Sequence, residues 1–205
     1  MTSNTENIAV LVTKAIEVFN SLNAQDPNKE TVDGEVYPRE LLYAKRLSAW
    51  VLKLKTKPSV PLQLAAYCQH LMRWKIKRSN FSNDRKGYLQ WRSQLAQFHA
   101  NETREVLISL GFDKSIVDVT QHIVLKKNRN QQDSDSQIME DALCLVFLEF
   151  QLEDFLEKNN YLEEKVISII RKTWNKMSEK GRKEALKLAY RPETLSLISK
   201  AINAH

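Results

Sequence analysis

Apolar residues recur at intervals of three and four along almost the whole chain. Between positions 41 and 54 they are Leu41, Leu42, Ala44, Leu47, Trp50, Val51 and Leu54, a spacing that lines one face of a helix rather than of a strand. The residues that would turn a sheet are scarce, with 4 glycines and 5 prolines in 205 positions. Tight turns between strands draw on both, so the pattern predicts an all-α protein. About nine helices are expected. They run roughly over 5–22, from near Pro38 to Leu54, from the PSVP break (58–61) to about Trp74, and over 88–110, 114–125, 136–156, 162–177, 179–189 and 193–203.

Between them NAQDPNKETVDGE, KIKRSNFSNDRKG and KKNRNQQDSDS read as polar loops. Gly111 fits the position just past the fourth helix. Pro192 fits the first turn of the last. The sixth helix, which carries ALCLVFL at 142–148, is apolar nearly all round and should lie buried at the centre. No internal repeat is visible, so residues 1–205 read as a single helical bundle.

The net charge is +6, yet Asp and Glu still number 25. A mixed surface with a basic bias suits anionic partners such as nucleotides, phosphoesters or, less strongly, RNA; it is equally the surface of an ordinary soluble protein. Cys68 and Cys144 each sit in an apolar run and form no CxxC pair, which reads as two reduced core thiols. No signal peptide is visible, and the longest apolar run is too short to span a bilayer. A cytoplasmic protein without a membrane partner is expected.

No P-loop, GxSxG, GxGxxG or HExxH is present, so candidate site residues come from weaker constellations. CQHLMRWKIKR (68–78) sets His70 one turn before Trp74 among Arg73, Lys75, Lys77 and Arg78. It reads as a core helix emerging into solvent, or as the wall of a site. His99 and Glu102 share a helix face and could share a metal, or form a surface pair. Glu140 and Asp141 open the most apolar helix, about 100° apart, so one of them must tilt inward and find a cation or a metal. Both could instead be first-turn acids. DRKGYLQWR interleaves Tyr88 and Trp91 with Arg92, a pattern that can hold a base and its phosphates. Lys126 and Lys127 end the fifth helix, where they could face a phosphate.

AAYCQHLMRW, then FHANETREVLISLGFDKSIVDVTQHIVLKK, then QIMEDALCLVFLE resembles the helical core of the HD-domain metal-dependent phosphohydrolases, over about 36–157, with helices in 160–204 packing on it. The resemblance implies a divalent ion (Mn, Fe, Ni, Co or Zn) held by His70, His99 and Asp141, with Glu102 or Glu140 in support. Gln69–His70 stands for the His-Asp doublet of that family, and Tyr43 or a neighbour stands where its first ligand histidine would be. The chain is more closely similar to a family of uncharacterised helical proteins, a domain of unknown function, through QHLMRW, GYLQWR, FHA, EDALCLVFLE and KTWNKMSEKG. Some of its members are described as glutamyl-tRNA synthetase-like. Here KMSEKG (176–181) has no companion nucleotide-binding motif and follows a helical segment.

Three functional readings follow. One is a protein that binds a phosphorylated ligand, a nucleotide or phosphoester, in a basic pocket of Arg73, Arg78, Arg92, Lys126 and Lys127, with Tyr88 and Trp91 against the organic part and with or without catalysis. Another is a metal-dependent phosphohydrolase with His70, His99 and Asp141 holding the ion, Glu102 as a further ligand, and Asp141 and Glu140 at its catalytic centre. The last is a scaffold or interaction protein.

Overall fold

The computed structural model describes residues 2–126, 134–158 and 161–203. Lys127 lies outside the described residues. Ten α-helices are present among them: α1 (Thr2–Ala24), α2 (Arg39–Leu54), α3 (Val60–Cys68), α4 (Arg85–Ser109), α5 (Lys114–Leu125), α6 (Ser134–Val146), α7 (Leu152–Lys158), α8 (Glu163–Trp174), α9 (Glu179–Ala185) and α10 (Pro192–Asn203). The all-α expectation holds, and Pro192 opens the last helix as anticipated. None of the described helices is long and apolar enough to cross a membrane.

One hydrophobic core runs through the molecule, with Phe19, Leu47, Leu62, Leu64, Leu107, Ile123, Met139, Leu145 and Ile170 fully buried. α6 packs on α2, α3, α5 and α9, so it takes the central place its composition predicts. α3 also packs on α2 and α5, α4 on α5, and α10 on α8. Cys68 and Cys144 are free and buried. Gly111 ends α4 with φ at +84°, its N–H bonded to Ile108 O and that of Phe112 to Leu107 O, a Schellman closure that favours glycine.

Three local departures from the periodicity shape the site. The segment expected to be a polar loop before α2 contains a hairpin, β1 (Lys29–Val32) paired antiparallel with β2 (Glu35–Pro38). Asp33 and Gly34 both take positive φ, 51° and 83°, the two-residue turn that Asp-Gly favours. The hairpin leads directly into Arg39 and Glu40 at the start of α2.

The second departure is at α3, which stops at Cys68 instead of running to Trp74. Residues 69–72 reverse the chain, with Met72 left-handed at φ 51°. Three side chains, Asn23 and His99 from other helices and Gln69 from the turn itself, hold that reversal. Asn23 of α1 accepts from Met72 N–H and donates to Tyr67 O. Gln69 Nε2 donates to Val124 O at the end of α5. His99 Nδ1 of α4 donates to Leu71 O at 2.8 Å. Such bonds compensate for the helical bonds that the chain gives up there.

The third departure lies within the expected helix over 136–156. Residues Phe147–Gln151 form a π-helical turn between α6 and α7. The extra residue rotates the side chains beyond it, sending Glu149 to Trp50 Nε1 at 2.6 Å and Gln151 toward the cleft described next.

Candidate functional site

Two lobes of one cleft meet at His70, Arg73, Trp91 and Gln151. Their volumes are 690 and 750 Å³, the size of small-molecule sites. The first lobe lies under the hairpin and the start of α2, and Arg39, Glu40 and Tyr43 line it. The second runs between α4 and the end of α5, lined by Tyr88, Arg92, His99, Lys126 and Phe147 among others.

His70 stands at the junction because the chain reverses there rather than continuing as helix. Tyr43 of α2 stacks flat on its ring, centroids 4.2 Å apart at 12°, and the His99 ring lies 5.8 Å away. Burial holds His70 well below the ordinary histidine range, and Arg73, Lys126, Arg92 and Arg39 push in the same direction. It is therefore a neutral imidazole at neutral pH.

Arg73 lies over the Trp91 ring at 4.8 Å, while Trp91 Nε1 is anchored to Ile76 O at 3.0 Å. The Arg73 Nε is 3.9 Å from Glu40 Oε1. Lys126 closes α5 with φ at +56°, and its ammonium is 3.3 Å from Glu140. Lys176 reaches the other oxygen of Glu140 at 3.6 Å. Arg78 is occupied differently, donating to Phe81 O and Ser82 O as a clamp on its own loop. Tyr88 is exposed at the rim, with Arg92 5.8 Å from its ring.

Sequence reasoning missed Arg39, which lines the first lobe, and its neighbour Glu40. Glu40 looks like an ordinary first-turn acid of α2. Its N–H donates to Asp26 Oδ2, which caps the helix start, and the residue is only 8% exposed. Burial raises its carboxyl from 4.5 to about 7, against the opposing pull of Arg73. Folded protein thus holds the Glu40 proton more tightly than the unfolded chain does. The group contributes stability that is complete below about pH 4.5 and lost as pH rises through about 7. Glu40→Gln removes that dependence. The variant should gain on the wild type across this window, by up to about 3 kcal/mol at about pH 8. Denaturant midpoints at about pH 5 and about pH 8 read it out, and a difference that does not change with pH contradicts a buried, proton-holding Glu40.

His70 and His99 come together, but Asp141 and Glu102 do not join them. Asp141 does tilt inward, at 2% exposed, yet its partners are hydrogen-bond donors rather than a cation or a metal. Ser178 gives it both its N–H, at 2.7 Å, and its hydroxyl, and Gln137 Nε2 donates at 2.9 Å. Ser178 in turn caps α9 by accepting from Gly181 N–H at 3.2 Å. A Cβ on Gly181 would stand 2.7 Å from the Asp141 carboxyl carbon, so the close approach needs glycine. This explains KMSEKG as a helix start. Glu102 is half-buried on α4 and lines neither lobe. Among the described residues no group of three or more His, Cys, Asp or Glu side chains is gathered so as to hold a metal ion. The ligand set that the HD resemblance implies, His70, His99 and Asp141 with Glu102, does not fit this arrangement.

The fold and the cleft define a helical protein with a cation-ringed pocket at a chain reversal. The chain belongs to the family described as Domain of unknown function (DUF4202), whose model matches residues 13–198. No curated protein and no solved structure matches it.

Proposed function

We propose that this protein binds a phosphorylated small molecule, a nucleotide or another phosphoester, in the cleft around His70. One observation carries the reading. Arg39, Arg73, Arg92 and Lys126 line the cleft around His70, and the acids nearby are Glu30, paired with Arg46, Glu40, beside Arg73, and Glu140, beside Lys126. A neutral histidine ringed by a cationic excess is set for a group with negative charge. The cations sit inside a concave cleft instead of along a stripe, which favours a small molecule over RNA. Tyr88 and Phe147 offer aromatic surface to its organic part.

The test is calorimetric titration of adenosine monophosphate and of inorganic phosphate. Wild type should bind both, and the nucleotide more tightly. Arg92 is exposed and lines the second lobe beside the Tyr88 ring, so Arg92→Ala should fold normally and weaken both by about tenfold, roughly 1.4 kcal/mol. Unchanged affinity in the variant removes Arg92 from the site, and no heat with any phosphate compound overturns the reading.

The alternative of a divalent-metal-dependent phosphohydrolase keeps one supporting observation, the buried Nε2 of His99, which has no partner among the described residues. That support does not extend to Asp141, whose oxygens are taken. Near-stoichiometric metal on untagged protein, lost in a His70→Ala/His99→Ala variant, would favour it over simple ligand binding.

A further inference from the structure

Three buried atoms of cleft-lining residues have no hydrogen-bond partner among the described residues: Glu40 Oε2 at the first lobe, and Gln69 Oε1 and His99 Nε2 at the second. Their residues are 8%, 5% and 3% exposed. Gln69 Oε1 and His99 Nε2 are fixed as acceptors by the chain itself, and Glu40 Oε2 joins them once its carboxyl, raised by burial to about 7, is ionised. His99 Nδ1 faces a carbonyl, which can only accept, so Nδ1 carries the proton and Nε2 keeps a lone pair. The amide nitrogen of Gln69 is committed to Val124 O, which leaves its oxygen as the unmatched acceptor. Glu40 Oε2 is 3.6 Å from His70 Nδ1, beyond a hydrogen bond. They flank His70: Glu40 opposes it, Gln69 precedes it in the chain, and the His99 ring is 5.8 Å from it.

A buried acceptor left unmatched is costly, so such groups in native sites call for a donor. A phosphate dianion brings only more acceptors. It answers the cations at the rim and leaves these acceptors as they were. The ligand that completes both carries unlike ends.

We propose that the cleft is built for a phosphorylated primary amine, with the phosphate among Arg39, Arg73, Arg92 and Lys126 and the ammonium at the acceptors Glu40, Gln69 and His99. An ammonium supplies three N–H donors and a positive charge, and the Glu40 carboxylate is its natural counter-ion. The proposal rests on the phosphate reading given above and narrows it to a substrate class.

The experiment compares O-phosphoethanolamine with ethyl phosphate, which lacks the amine, by calorimetry in chelator-treated buffer near neutral pH. Wild type should bind the amine compound at least about tenfold more tightly. Glu40→Gln should cut that advantage to about threefold or less while leaving ethyl phosphate bound; its thermal melt reports that it is folded. Equal affinity for the two compounds in wild type overturns the amine inference and leaves the phosphate reading standing. Tight binding that appears only on adding manganese or zinc overturns it too, by giving the acceptors to a metal ion. Binding of neither compound overturns both readings together.

Discussion

Asp141→Ala should destabilise the protein by about 3 kcal/mol or more without changing affinity for a phosphate ligand. The carboxylate is buried and takes three donors, two of them from Ser178 and one from Gln137. Removing it strands those donors and withdraws the support of Ser178, the residue that caps α9. Hydrogen bonds to a charged group are worth about 1.5–3 kcal/mol each, and they are not independent here. Gly181→Ala should fail in the same way from the other side, because the new methyl would meet the carboxyl group at 2.7 Å. Urea denaturation reads both. If Asp141→Ala were as stable as wild type and lost ligand binding or metal instead, Asp141 would belong to the cleft and not to the α6–α9 junction.

The second large effect belongs to Arg73. Its guanidinium is held by the Trp91 face and by Glu40, and it is shared by both lobes. Burial lowers its proton affinity, yet a guanidinium begins so high that it stays charged. A lysine in the same place has a lower starting value, no planar fork and weaker stacking. Arg73→Lys should therefore weaken phosphomonoester binding by about 30- to 100-fold, roughly 2–3 kcal/mol. The thermal melt separates that loss from unfolding. A change of less than about threefold in a folded variant would make Arg73 a structural partner of Glu40 alone.

Much of the fold was legible because helical periodicity is a local signal. The α5 boundaries, the central place of α6, the Gly111 closure and the Pro192 start all follow from nearby residues. What the periodicity did not reveal depends on distant partners. The reversal at 69–72 lies within an apolar run that reads as continuing helix; it is held by Asn23, Val124 O and His99 from three other helices. The π-helical turn at 147–151 leaves the apolar pattern nearly undisturbed. The hairpin did have a local signal, Asp33–Gly34, which was outweighed by the scarcity of turn residues elsewhere.

The site divides in the same manner. His70, Arg73, Trp91, Arg92 and Lys126 stand out by charge and aromatic rings and His99 by its spacing to Glu102, and all six line one cleft. One of Glu140 and Asp141 is expected to turn inward, and it is Asp141 that does so most fully, but its partner lies 37 residues away in Ser178. Glu40 carried no sequence mark of its own. An acid in a first turn is ordinary, and only the tertiary arrangement shows it buried against Arg73 and His70.

The central claim is that the cations converge on His70 to hold a phosphate. Imidazole resonances of the intact protein, followed by nuclear magnetic resonance while inorganic phosphate is added, test it most directly. His70 and His99 line the cleft, whereas His122 is exposed on α5 and lines neither lobe, so it serves as an internal reference. The account predicts saturable shifts of His70 and His99 with His122 unmoved. Saturable binding that leaves His70 and His99 unchanged, or no saturable shift at any phosphate concentration, would contradict it.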